Sequence, residues 1–411
     1  MGHNCLGRHL GHAVIRRLAA GALTLASVTA ADAGDGVVRI GVLNDQSSVF
    51  ADSTGPGSVL SARMAAEDFG GNAAGLPVEV VGADHLNKPD VGAEIARRWF
   101  DQEKVDVIAD LGNSAVALAV NEIARDKNKA ILVSAGGTTA LTGKSCSPNT
   151  VHWTYDTWSQ SNAIGKALVK AGHRTWYFLT ADYTFGYNLR DETSKVVLAN
   201  GGEVLGSVRH PINSSDFSSF LLQAQASHAN VIALANGGSD TANAIKQATE
   251  FQLQKGGQIM VGLSTMITDI QALGLATTQG LYVTETFYWD LTPGTREWSK
   301  RWAARNGGRY PTMMQAGVYA AVMHYLKAID AVGDVKDGRK VVAKMKEMPT
   351  EDPLFGKGHI LANGRKVHDV YVFQVKAPGE SKYPWDFYKL ASTVPGDQAF
   401  LSLADSGCTL Q

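Results

Sequence analysis

Residues 78–123 read VEVVGADHLNKPDVGAEIARRWFDQEKVDVIADLGNSAVALAVNEI. The stretch opens on an apolar strand-like run, VEVVGA. A helical segment follows, with Val91, Ile95 and Trp99 at four-residue spacing. VDVIAD at 105–110 is a second strand, and Ser114 opens a second helix. Continuous apolar strands alternating with amphipathic helices predict a parallel sheet covered on both faces.

The pattern extends in both directions. VVRIGVL at 37–43 precedes a helix with apolar Val59, Ala62, Ala66 and Phe69, and ILVS at 131–134 follows the quoted stretch. The alternation then restarts. Strands are expected at 175–180, 203–210, 230–235, 259–262 and 281–285, with helices near 157–171, 184–199, 215–226 and 238–252. Two successive α/β units predict an α/β protein with two Rossmann-like, doubly wound lobes. Three helices near 293–306, 312–331 and 335–347, then strands near 358–361 and 368–375, read as chain returning to finish both lobes. The expected division is 34–155 with 286–348 as lobe 1 and 156–285 with 349–391 as lobe 2. Residues 392–411 form a tail of little periodicity returning to lobe 1.

Residues 18–30 are apolar, follow Arg16 and Arg17, and end in Ala31-Asp32-Ala33. A positive flank, a short apolar core and an A-x-A site read as a secretory signal peptide over 1–33. The run is too short for a permanent anchor. A chain of 411 residues suits two domains rather than one core. With 38 Lys+Arg against 39 Asp+Glu, it has no basic footprint for nucleic acid. Beyond the leader stand two cysteines, Cys146 and Cys408. In an exported chain an even pair favours a disulfide, here tying the tail to lobe 1; the alternative is two free buried thiols.

Enzyme motifs fail. GPGSVL at Gly55 has Leu60 where a dinucleotide fingerprint needs its third glycine. Gly137 to Ser145 resembles a phosphate loop, but five residues separate its glycines and Pro148 follows where a helix should run. No G-x-S-x-G or H-E-x-x-H occurs, and the histidines beyond the leader lack ligand spacing. No catalytic residue, metal or cofactor is assigned. IADLGNSAVALAVNEI and IALANGGSDTANAIKQA echo one another as strand, Gly, Ser, helix. In open α/β sheets ligands sit at these strand-to-helix turns, where helix N-termini favour anions. Ser114 and Ser239 stand at N-cap positions; each either caps its helix or meets a ligand.

IGVLNDQ (40–46), GPGSVLSARMAAEDF (55–69), ILVSAGGTTALTG (131–143), DYTFGYNLRD (182–191), ALANGGSD (233–240) and YPTMMQAGVYAAV (310–322) together resemble the type I periplasmic solute-binding proteins of ABC transporters. The likeness is to the branched-chain amino-acid-binding group. It implies two Rossmann-like lobes joined by a three-strand hinge, closing on a small ligand. It also implies that Ser114 and the Gly136-Gly137-Thr138 turn hold a ligand carboxylate, with Phe50 covering it. Tyr183 and Phe185 fall at the family's aromatic helix start, and Asn236 at a strand end. Phe287 or Tyr288 takes the cleft aromatic of the hinge-return segment.

Amino-acid binders of that group carry an acid that pairs with the ligand ammonium. Here the position falls in Gly262-Leu263-Ser264-Thr265, without one. A buried ammonium without a partner is costly. Aromatics gather around the expected cleft: Phe50, Tyr155, Trp158, Tyr183, Phe185, Phe287, Tyr288 and Trp289. The reading is a periplasmic receptor that captures a small carboxylate, foremost an aromatic acid. It would work as a monomer and deliver its ligand to an inner-membrane permease. Asp156, Asp182 or Asp240 could supply the missing charge, which keeps amino acids and amides open. A ligand-sensing receptor domain is the alternative role on the same fold.

Overall fold

The computed structural model describes Met1 and residues 36–410, so the leader expected over 1–33 lies outside the described residues apart from Met1. The first sheet has six strands. At its centre Val38–Asn44 runs parallel to Leu76–Asp84 on one side and Val107–Asp110 on the other. Ala130–Val133 and Thr150–His152 extend it in parallel, and the short strand Asn72–Ala73 closes the far edge antiparallel. Val38, Ile40, Val42 and Leu43 are fully buried, as a strand covered on both faces requires. Gly41 sits in the same strand because Trp99 packs flat over it; a Cβ there would collide with the indole.

The second sheet has seven strands. Thr175–Ala181 lies between Glu203–His210 and Val231–Ala235, and Ile259–Gly262 and Tyr282–Glu285 continue the parallel order. Val370–Val375 and Tyr388–Val394 then join antiparallel at the edge. Residues 392–394 therefore finish a strand of this sheet; the expected tail begins only beyond them, because Ser392 pairs with Val372 and Val394 with Val370.

The chain crosses between the sheets three times. It leaves the first after His152, returns after Glu285, and enters the second again at Val370. Between the last two crossings, helices Pro293–Arg305 and Met313–Val332 pack on helix Gly55–Asp68, and Gly338–Glu347 packs on Met313–Val332 and Ala130–Val133. Trp302 fixes one of these contacts by donating its indole N–H to Ser61 Oγ at 2.9 Å. The result is two lobes with a three-stranded connection, as the alternation and the resemblance imply. Cys146 and Cys408 form a disulfide that ties the C-terminal tail to the loop after Ala130–Val133. Among the described residues no helix is long and apolar enough to cross a membrane.

Candidate functional site

The site is built at the carboxyl ends of the strands. After Val38–Asn44 the buried Asp45 accepts hydrogen bonds from Ser48 N, Ser48 Oγ and Phe50 N at 2.9, 2.7 and 2.9 Å. That turn fixes Phe50 over the strand ends. Val107–Asp110 ends in Asp110 and Leu111 with φ of +81° and +58°, an uncommon left-handed pair for non-glycine residues. The chain then turns sharply into helix Ser114–Asp126. Asn113 is the N-cap and accepts from Ala115 N at 2.8 Å and Val116 N at 3.1 Å. Ser114 therefore does not cap the helix, as its position had suggested. Its Oγ is buried without a hydrogen-bond partner.

Ser239 does not cap its helix either. Gly238 takes the N-cap place with φ +59°, and Ser239 N donates to Val49 O at 3.3 Å. That bond crosses from one lobe to the other. Two more do the same: Thr138 Oγ1 donates to Asn188 Oδ1 at 3.0 Å, and Thr139 Oγ1 to Glu192 Oε1 at 2.5 Å.

Between these crossings lies an enclosed cavity of about 220 Å³ of atom-free space. Phe50, Ser114, Tyr155, Tyr183 and Phe185 line it, together with Gly112, Ala135 and Met314. The walls are drawn closely together. A ligand with a ring can enter only when the lobes or these side chains part. Tyr155 is held by donating to Ala135 O at 2.9 Å, and the rings of Tyr183 and Phe185 lie 6.0 Å apart.

The other residues expected at the site fall around it rather than on its wall. Gly136 packs against Leu111 and Ala117. Thr138 spends its hydroxyl on Asn188 while accepting from Ala140 N at 3.3 Å. Asn236 bonds His210 and accepts from Thr241 Oγ1. Ser264 neighbours the Tyr155 hydroxyl. Phe287 is buried between Trp298 and Phe355, and Tyr288 between Phe373 and Tyr388; both are core of the inter-lobe connection. Gly112, Ala135 and Met314 were not foreseen. They carry no chemical signature, and only the fold places them together.

Among the described residues no charged side chain lines the cavity. Of the three acids that could supply a negative charge, Asp156 caps helix Thr157–Lys170 and pairs with the buried Arg365 at 3.6 Å. Asp182 is half-exposed beside Tyr187 and Arg209. Asp240 remains. One of its oxygens accepts from Asn213 N at 3.1 Å; the other is buried without a partner, and burial pushes the carboxyl up to about 6. Behind the cavity Asp110, held by Asn44 Nδ2 at 2.9 Å, is pushed up to about 6 by the same cause. The cavity thus offers an unpaired hydroxyl at a helix N-terminus, where the dipole favours an anion, and aromatic walls for the remainder of a ligand.

Comparison with known proteins agrees with this architecture. The model of the periplasmic binding protein family matches residues 37–381. A crystal structure of a periplasmic binding protein from Burkholderia mallei is 46% identical, with a TM-score of 0.89, over 92% of this chain and 100% of that one. A branched chain amino acid ABC transporter periplasmic ligand-binding protein from Burkholderia xenovorans LB400 is 39% identical, TM-score 0.82, over 91% and 99%. A solute-binding protein of an ABC transporter from R. palustris, in complex with benzoate, shares the fold at 21% identity, TM-score 0.81, over 91% and 100%. These are binding receptors rather than enzymes. The chain belongs to the periplasmic binding protein family, and within it to the type I fold of the branched-chain amino-acid-binding group.

Proposed function

We propose that this protein is the extracytoplasmic receptor of an ABC importer, that it captures a small aromatic carboxylate by lobe closure, and that it hands the ligand to an inner-membrane permease. The observation that carries the ligand class is the Ser114 hydroxyl: buried, unpartnered, at a helix N-terminus, in an aromatic-walled cavity with no charged lining. A carboxylate would satisfy that hydroxyl and the helix dipole, and a planar ring would lie among Phe50, Tyr155, Tyr183 and Phe185. The benzoate complex of the R. palustris protein supports the reading to the extent that the same scaffold can hold such a ring. The moving bodies would be 34–155 with 286–348 and 156–285 with 349–391. The protein would work as a periplasmic monomer.

A second reading, an amino acid or amide as ligand, is favoured by one observation. Asp240 keeps an unpartnered buried oxygen within electrostatic reach of Tyr183. Calorimetry separates the two. Benzoate-type acids should bind with micromolar or better affinity, and leucine or valine on the order of a thousandfold worse, because an unpaired ammonium costs several kcal/mol. Tight leucine binding with no response to any aromatic acid would overturn the first reading and leave the second. Growth on the identified ligand that is unchanged when this receptor is deleted would favour a sensing role over transport.

A further inference from the structure

A second concavity, with about 900 Å³ of atom-free space against about 220 Å³ in the interlobe cavity, lies apart from that cavity and shares no lining residue with it. Trp289, Tyr310 and Trp385 form its aromatic wall, with ring centroids 4.0 Å apart for Trp289 and Tyr310 and 5.8 Å for Tyr310 and Trp385. Arg296 and Lys300 also line it, from helix Pro293–Arg305. Trp385 belongs to the loop between Val370–Val375 and Tyr388–Val394 of the second sheet, so the wall joins both lobes.

Trp385 has φ +67°, a genuine outlier for a bulky aromatic residue. Its carbonyl oxygen accepts from Trp289 Nε1 at 2.9 Å, Phe387 N at 3.0 Å and Tyr288 Oη at 3.1 Å, which holds the loop in place. Strained backbone of this kind persists where its surroundings over-determine it, and clusters at ligand sites. The charges choose the ligand. Asp290 is already engaged by Arg296 Nε and by the Tyr383 hydroxyl, so it is no counter-ion for a bound cation. Lys300 is exposed and has no hydrogen-bond or ion-pair partner among the described residues. Arg296 and Asp290 both line the concavity and neutralise one another, so the unpaired charge beside the rings is the Lys300 ammonium, which an aromatic cage for an ammonium ligand would not carry.

We propose that this concavity is a second, peripheral ligand site for a single-ring aromatic carboxylate, its ring against the Trp289–Tyr310–Trp385 wall and its carboxylate on Lys300, the cation of the lining that Asp290 does not already neutralise. The volume is within the range of small-molecule sites.

Equilibrium dialysis and calorimetry with benzoate test the proposal on the full folded chain. The wild type should bind two benzoates. Lys300→Glu and Tyr310→Leu should each weaken the peripheral one at least tenfold, and Lys300→Arg should restore it. Ser114→Ala should remove only the interlobe one. If the interlobe cavity takes a different ligand, the wild type binds a single benzoate that Lys300→Glu abolishes and Ser114→Ala spares; the peripheral site then stands while the reading of the main cavity falls. Benzoate binding indifferent to both Lys300→Glu and Tyr310→Leu overturns the proposal. So does competition by tetramethylammonium, which would mark a cation cage.

Discussion

Asn113 takes the helix-capping duty, and that leaves the Ser114 hydroxyl next to it without an intrahelical partner. The two neighbours should therefore fail in different ways. Ser114→Ala should weaken carboxylate binding by about 1.5–3 kcal/mol, the range for hydrogen bonds to charged groups, and leave the melting temperature nearly unchanged. Asn113→Ala should cost about 1 kcal/mol of stability through the lost cap. Calorimetry and thermal melts on both variants check the separation; equal binding by Ser114→Ala and wild type would remove Ser114 from the anion pocket. Gly238 makes a third point at this scale. Its φ is +59°, and a Cβ added there would lie 2.1 Å from Val49 O across the cleft, so it has no room when the lobes meet. Gly238→Ala should lose stability, because this backbone conformation strains any residue with a Cβ, and should lose affinity as well, because the collision with Val49 O adds to that strain when the lobes meet. Unchanged affinity in a folded Gly238→Ala would mean that Val49 and Ser239 do not meet in the bound state.

Elements were legible where burial imposes a pattern over several turns or strand residues. Thr184–Ala199 and Glu203–His210 fall where periodicity puts them, and the fully buried Val231–Ala235 reads as an unbroken apolar run. Tyr388–Val394 was illegible as a strand because it is an edge: Tyr388 is buried, and the residues from Lys389 to Thr393 are exposed. Its apolar residues Leu390 and Ala391 are exposed and mark no buried face; only pairing with Val370–Val375 defines the strand. The three-residue Thr150–His152 is too short to carry a period. At the cavity, Phe50, Tyr183 and Phe185 stand where the family resemblance implied, and Tyr155 is one of the aromatics expected around the cleft. The shift from Ser114 to Asn113 as cap was not, since both residue types cap helices well and one residue of register decides. Met314 was missed because an apolar residue at a helix start is indistinguishable from core. Cys146 and Cys408 pair as their parity suggested. Their bridge closes most of the chain, worth roughly 3–5 kcal/mol in the chain-entropy model. The double variant Cys146→Ser, Cys408→Ser should melt several degrees lower and bind its ligand as before. An unchanged melting temperature would show that the tail bridge adds no stability.

Closure of the whole molecule brings a carboxylic acid out of water. Glu192, on helix Thr184–Ala199 of the second lobe, accepts from Thr139 Oγ1 of the first, and its other oxygen is buried without a partner. Burial is the main cause that pushes its carboxyl from 4.5 up to about 7; Asp156 adds to the rise, while the Thr139 and Thr157 hydroxyls and Lys195 oppose it. Under the proposed lobe motion, opening would remove Thr139 and re-expose the group, which would return it toward 4.5. The closed form therefore holds a proton that the open form releases between those two values. Below about pH 4.5 both forms are protonated, and closure carries no penalty from this group. As pH rises the open form ionises first, so the penalty on closure grows, and it is complete above about 7. Ligand affinity should accordingly fall as pH rises from about 5 to 7 and then level off. Near pH 6, calorimetry in buffers of different ionisation enthalpy should register proton uptake on binding; at pH 8.5 the uptake should vanish. Glu192→Gln, which keeps the acceptor for Thr139 and cannot ionise, should abolish both the uptake and this part of the pH dependence. Uptake that persists in Glu192→Gln would assign the proton to another buried acid, with Asp240 and Asp110, both pushed up to about 6, the next to substitute.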